Sequence, residues 1–192
     1  MVVSKSDIYI SPEEYLEGEK SSPVKHEYIQ GQVYAMAGAN DAHNLITGSF
    51  YSLLRNHLRG KGCLPYTGDM KAQIDVRDIY YYPDILVICD PRDRSSEYSK
   101  RYPCLIVEVL SDSTEAFDRG NKFSDYRHLE TLQEYVLVKQ DRQSVDCFRR
   151  NEQGRWELYA FVEGDEVVLK SIDFSCAIAS LYEDVILGIA SA

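Results

Sequence analysis

The chain has 192 residues, 44% of them hydrophobic and 27% charged, with a formal net charge of −10. That is enough for one compact domain with a sizeable core, and no run approaches the roughly 18 apolar residues that a membrane span requires. The acidity argues against a tight, free-standing nucleic-acid binder, because such affinity comes largely from Lys and Arg contacts to phosphates.

The first residues lack the long apolar core of a signal peptide, so a cytoplasmic protein is expected. Ser11, Pro12 and Glu14 form a helix-start pattern: an N-cap, a proline at the first helical position and a capping-box carboxylate. This helix ends near Gly18. Residues 24–37 predict a hairpin turning at Gln30-Gly31. Asn40 or Asp41 caps a second helix, whose apolar positions Leu45, Ile46, Phe50, Leu53, Leu54 and Leu58 recur at three- and four-residue spacing. Gly60 and Gly62 stop it. Residues 63–76 read as a strand, with Ala72, Ile74 and Val76 alternating.

Residues 85–88 are a continuous apolar strand ended by Asp90-Pro91. A polar loop covers 92–101, and a second apolar strand covers 104–110. Thr114 caps a helix expected to run to about Leu132. A short strand follows at 134–138. A hairpin joins 144–149 to 156–162 through Asn151-Glu152-Gln153-Gly154. One more strand is expected at 167–170, and a short amphipathic helix at 177–189. There is no repeat and no linker, so residues 1–192 read as a single α/β domain. Cys63, Cys89, Cys104, Cys147 and Cys176 are odd in number and mostly lie in apolar runs, which predicts buried free thiols. Arg92, Arg94, Lys100 and Arg101, and later Arg142, Arg149 and Arg150, are the candidate basic clusters.

The chemistry concentrates between Tyr80 and Lys122. Asp84 opens one apolar strand and Glu108 closes the next. If the two strands pair as antiparallel neighbours, the carboxylates stand side by side. Charges in such surroundings are costly unless compensated, and two carboxylates together raise each other's pKa. A divalent cation resolves both problems, and Mg²⁺ accepts one or two carboxylates, a carbonyl and waters. Lys122 lies on the apolar stripe of the next helix with Tyr126 and Leu129, placed to stabilise transition-state charge. The alternative is structural: Asp84 as a turn residue, and Glu108 paired with Arg119 or Lys122.

These residues resemble the PD-(D/E)xK nuclease superfamily, whose core is a mixed sheet between helices. The closer likeness is to its branch of restriction endonucleases of unknown target. It rests on Tyr82-Pro83-Asp84, Val107-Glu108-Val109-Leu110-Ser111, Ser113-Thr114, Asp118 with Lys122, Tyr126, His26-Glu27-Tyr28-Ile29 with Gly31, and His43-Asn44. It spans roughly residues 10–190. The resemblance implies a restriction endonuclease-like core with an N-terminal hairpin and a C-terminal β-hairpin. It implies an Mg²⁺-dependent endonuclease acting on DNA, with Mn²⁺ as a substitute, and a homodimer. Asp84, Glu108 and the Val109 carbonyl would hold the metal, and Lys122 would be the catalytic lysine. Leu110 stands where the superfamily pattern places its lysine, so either Lys122 replaces it or the chemistry is lost. In the second case the fold serves as an inactive module for nucleic-acid or protein binding.

Beside these residues, His43 is either a base near the site or a capping residue. Glu27 either helps hold metal or is solvated. Asp69 and Lys71 read as a surface pair. Tyr80-Tyr81-Tyr82 either stack on bases or pack inward, and packing is expected.

Overall fold

The computed structural model describes residues 9–187. Helix α1 (Pro12–Glu19) starts with both halves of the capping box: Glu14 N–H donates to the Ser11 hydroxyl at 3.2 Å, and Ser11 N–H donates to the Glu14 carboxylate at 2.8 Å. Strands β1 (His26–Ile29) and β2 (Gln32–Ala35) form the expected hairpin. Its turn requires positive φ at Gln30 (49°) and Gly31 (86°), which a glycine adopts without steric cost. Helix α2 (Asp41–Leu58) is capped by Asn40, whose side chain accepts from His43 N–H at 2.9 Å. Its buried stripe is Ile46, Phe50, Leu54 and Leu58.

Then come β3 (Leu64–Thr67), β4 (Lys71–Ile74), β5 (Ile79–Tyr81), β6 (Ile85–Ile88), β7 (Ser99–Lys100) and β8 (Pro103–Leu110). A short helical run follows: α3 (Glu115–Phe117), a π turn (Asp118–Lys122) and α4 (Phe123–Tyr126). The chain closes with β9 (Glu134–Lys139), β10 (Ser144–Arg150), β11 (Trp156–Val162), β12 (Glu166–Leu169) and β13 (Phe174–Ala177).

The central sheet has six strands in the order β11-β10-β9-β8-β6-β3. It is mixed, because β8 and β9 run parallel while its other neighbours are antiparallel. All eight residues of β8 are buried, as in a strand covered on both faces. One face carries Ile85, Val87, Leu105, Val107 and Val109 against the α2 stripe and the β12-β13 hairpin. The other carries Leu86, Ile88, Ile106 and Leu110 against Tyr126, Leu129, Leu132 and a second, five-stranded sheet, β2-β1-β5-β4-β7. Side-chain alternation places Cys104 with Ile106, but the register of β6 on β8 slips at Val87/Ile88. Such a bulge reverses the parity of the residues beyond it, and Cys104 joins the α2 face.

Four expectations are corrected. Residues 63–76 are two strands, because Gly68-Asp69-Met70 turns the chain from the central sheet into the second one. The helix from Thr114 ends at Tyr126, since the chain must turn to lay β9 parallel to β8. Leu129 and Leu132, which prolonged its apolar spacing, are buried from the turns that follow. The segment after Ala177 is a 3-10 turn, Ile178–Leu181, and residues 188–189 lie outside the described ones. Finally, Cys63 and Cys89 form a disulfide, with Cα atoms 4.2 Å apart. Pairing of Leu64 with Ile88 brings them opposite each other, a consequence of register that sequence spacing does not reveal. Cys104, Cys147 and Cys176 are free thiols.

The far end of the core depends on an ion pair. Glu134 is fully buried and accepts from Arg149 Nε at 2.7 Å, Ser171 N–H at 2.9 Å and Lys170 N–H at 3.1 Å. Breaking a buried pair strands a charge. Arg149→Met is therefore expected to cost about 3–5 kcal/mol, measured by urea unfolding at neutral pH.

Candidate functional site

The pairing of β6 with β8, Ile85 opposite Val107, sets Asp84 beside Glu108. Asp84 N–H donates to Glu108 Oε2 at 3.4 Å. Val109 N–H donates to Asp84 Oδ2 at 2.7 Å. That same oxygen lies 3.1 Å from His43 Nε2, which the first turn of α2 delivers to the end of the sheet. Glu108 Oε1 accepts from Lys122 Nζ at 2.9 Å and from the Tyr126 hydroxyl at 3.1 Å.

Lys122 is 6% exposed, and its ammonium is surrounded: Glu108, then Glu27 Oε1 at 3.1 Å and Asp118 Oδ1 at 3.7 Å. The π turn carries both Asp118 and Lys122, each buried. A π turn widens the helix locally and is often found at functional sites. Here the hydroxyl of buried Tyr135 donates to the Asp118 carbonyl at 3.0 Å. Glu27 reaches the cluster from the N-terminal hairpin and also accepts from Tyr82 N–H at 3.2 Å.

Three carboxylates (Glu27, Glu108 and Asp118) thus surround one ammonium, and a fourth, Asp84, stands beside Glu108. Burial pushes the Glu108 carboxyl well above the usual range, and Asp118 and Asp84 add to the push while Lys122 opposes it. Burial likewise raises Asp118. Burial by itself would drive the Lys122 ammonium down, but Glu108, Glu27 and Asp118 together hold it well above its ordinary value. Lys122 is therefore charged at neutral pH. It can donate hydrogen bonds and stabilise negative charge, but it is no base.

The donor set suits a cation that keeps much of its water. Among the described residues no three His, Cys, Asp or Glu side chains converge as a cage. Mg²⁺ is ordinarily held by one or two carboxylates with waters completing the shell, and Asp84 and Glu108 supply two. The excess of negative charge is a second reason for a cation to bind there. His43 Nδ1 is buried without a hydrogen-bond partner, a polar atom that still lacks its mate.

Asp84, Glu108, Lys122 and His43 therefore come together. Val109 joins them through its amide. Glu27, expected either to help hold metal or to be solvated, is buried and pairs with Lys122. Asp118 and Tyr126 complete the cluster without an assigned role from sequence, although Asp118 stands one helical turn before Lys122, a spacing at which side chains meet. Glu108 pairs with Lys122, while Arg119 is taken by Glu115 and Asp146. Lys71 is no surface partner of Asp69: it is buried with its ammonium 4.9 Å from the Tyr82 ring centre, and Asp69 pairs with Lys25. Tyr80, Tyr81 and Tyr82 are all packed inward.

Most of the basic clusters are neutralised within the chain; among the described residues Arg94 and Arg150 have no acidic partner and donate to the Gly62 and Glu130 carbonyls. Arg92 pairs with Asp90 and Glu130, Arg101 with Asp75, Arg142 with Asp141 and Arg149 with Glu134. Lys100 is buried and donates to the carbonyls of Asp93 and Ser96.

Residues 12–179 match the Uma2 family, described as "Putative restriction endonuclease". The chain belongs to the Uma2 family. Two relatives from Synechocystis sp. are uncharacterized proteins. One is 44% identical over 90% of this chain and 91% of its own length, and the other 34% identical over 82% and 90%. The crystal structure of "a putative nuclease belonging to DUF820" from Anabaena variabilis superposes with a TM-score of 0.72 over 92% of this chain and 99% of that one. At 20% identity that likeness speaks to fold, and it establishes for this Uma2 chain the nuclease-like α/β architecture. Among the described residues, no helix is long and apolar enough to cross a membrane.

The lysine sets a pH signature. Glu108 and Asp118, with raised folded-state pKa values, favour the fold when protonated, and that contribution is lost as pH rises through those values. Lys122 offsets the loss. Lys122→Met is expected to cost about 3–5 kcal/mol at pH 8, the range for breaking a buried pair. The deficit should shrink as pH falls and the carboxylates protonate, read from paired urea titrations at pH 8 and pH 5.

Proposed function

We propose that this Uma2 protein is a divalent-cation-dependent endonuclease that hydrolyses phosphodiester bonds of DNA. The observation that carries the reading is the meeting of Asp84, Glu108 and Lys122 at the end of two buried strands, with carboxylates in excess over the ammonium. Family membership supports it.

In this reading Asp84 and Glu108 hold Mg²⁺, or Mn²⁺ in its place, with the Val109 carbonyl as a further oxygen. The cation supplies Lewis-acid polarisation of the scissile phosphodiester and acidifies water. The chain's own groups do the rest. Lys122, kept protonated by its carboxylate ring, donates to the charge that builds on the phosphoryl oxygens. Glu27 and Asp118 orient that ammonium, and the Tyr126 hydroxyl fixes the Glu108 carboxylate. Val109 N–H and His43 hold Asp84 by one oxygen, leaving Oδ1 for the cation. His43 thus acts on the site through Nε2, which holds Asp84 Oδ2, while its Nδ1 is buried away from the carboxylates. Leu110 packs in the apolar face with Tyr126, so a lysine there would be redundant with Lys122.

One observation favours an inactive module: Glu108 Oε1 is already engaged by Lys122 and Tyr126, so the cluster is partly satisfied without metal. Calorimetric titration with Mn²⁺ separates the two readings. A nuclease site binds Mn²⁺ and loses that binding in Asp84→Asn, whereas a module without a metal site gives no heat.

For activity, Asp84→Asn, Glu108→Gln and Lys122→Met are each expected to lower Mg²⁺-dependent DNA cleavage about 10²-fold or more, the scale for removing one preorganised charge-stabilising group. Plasmid and oligonucleotide assays check this. Wild-type protein that leaves DNA intact with every divalent cation would sink the reading.

A further inference from the structure

Three sulfurs meet at the end of β6 away from the candidate site. Pairing of β3 with β6 sets Cys63 against Cys89, and the two are joined. The bulge in β8 brings up the third. Val87 pairs with Leu105 and Ile88 with Pro103, so Cys104 is the extra residue between them. It faces α2, and its Sγ lies 3.4 Å from Cys89 Sγ. At that separation the two sulfurs are in van der Waals contact. The Cys104 thiol also donates to the Val87 carbonyl at 3.4 Å. Cys89 therefore touches two sulfurs, one bonded and one free.

Cys63 and Cys104 have unlike surroundings. Cys104 is buried, and burial pushes its thiol up to about 12, so it is neutral. Cys63 is partly exposed, in the loop between α2 and β3. Residues 42–68 contain no Asp or Glu, in a chain that carries 31 such residues. Arg59 and Lys61, just before Cys63, are exposed, and Arg94 Nη2 donates to the Gly62 carbonyl at 3.3 Å. A thiolate leaving at Cys63 meets positive charge, and a stabilised leaving group speeds thiol–disulfide exchange.

We propose that Cys89 is a shared sulfur whose bond passes from Cys63 to Cys104, leaving Cys63 as a site for S-thiolation by a small anionic disulfide. Cys104 loses its proton and attacks Cys89 Sγ. The Cys89–Cys104 bond forms, the Cys63–Cys89 bond breaks, and Cys63 leaves with the electron pair. The proton lost at Cys104 is balanced by one taken up at Cys63, so this step needs no oxidant. The Cys63 thiolate then attacks one sulfur of the small disulfide, forming a mixed disulfide and releasing the other half as a thiolate. The oxidising equivalents of the adduct come from that disulfide. Because Cys104 is neutral, the first step belongs to the slow range of uncatalysed rearrangement, minutes to hours. Strand β6 stays tied in both states, to β3 before the exchange and to β8 after it, so Asp84 keeps its support.

Peptide mapping after an acid quench tests it, with Cys176→Ser as the parent because Cys176 is a partly exposed free thiol. The folded parent, oxidised with diamide and then held with glutathione disulfide, is expected to carry one glutathionyl group on Cys63 and a Cys89–Cys104 bond. Adding Cys104→Ser should keep Cys63 joined to Cys89 and lower the adduct about tenfold or more, since only direct attack from solution remains. Cys63→Ser probes the contact without altering the buried cysteine: diamide should join Cys89 to Cys104 within one chain. A parent in which Cys89 and Cys104 never join overturns the proposal. So does an adduct equally abundant in Cys104→Ser, or a Cys63→Ser chain in which Cys89 and Cys104 stay free. None of these measurements depends on DNA cleavage, so failure here leaves the nuclease reading untouched, and the converse.

Discussion

The ammonium of Lys122 is the constraint on which the site depends. It lies within 3.1 Å of Glu108 and Glu27 and within 3.7 Å of Asp118, and these three carboxylates come from a central strand, the N-terminal hairpin and a π turn. No one of those segments can bury its charge alone, because an unpaired ion inside a protein costs several kcal/mol. Brought to one lysine, they satisfy one another in part and tie the second sheet, the central sheet and the helical run to a single point. The same arrangement leaves negative charge in excess, and that excess is what a cation would meet.

Register does the positioning. The antiparallel pairing of β6 with β8 sets Asp84 beside Glu108, and the β3-β6 pairing joins Cys63 to Cys89 at the other end of β6. Between them the strand is wholly buried. Asp84 therefore stands at the end of a strand fixed at both ends, a suitable support for a site needing defined geometry. A one-residue slip would turn every side chain of β6 to the opposite face; because both faces are apolar, the register is held by the Asp84 contacts at one end and the Cys63–Cys89 bond at the other.

The surface departs from what a free-standing DNA binder would carry. With a net charge of −10 and half of its arginines paired with acids of the same chain, long-range attraction to a phosphate backbone is weak. Under the proposed nuclease reading, a substrate would have to be held by local contacts around Asp84 and Glu108.

Much was legible in the residues themselves. The capping box at Ser11, the Asn40 cap, the Gln30-Gly31 turn and the late hairpin follow from local rules, because their interactions close within a few positions. Asp84, Glu108 and Lys122 were also legible, since charged residues embedded in apolar periodicity demand a partner. The tertiary structure alone decided which partners they have. Glu27 lies far from Lys122 in sequence and nothing local marks it as buried. The end of the helical run at Tyr126, the turn of Cys104 to the α2 face and the Cys63–Cys89 disulfide all follow from strand register and crossover, which are long-range. Local propensity reports what one segment prefers. Burial and pairing are decided by what the remaining segments bring against it.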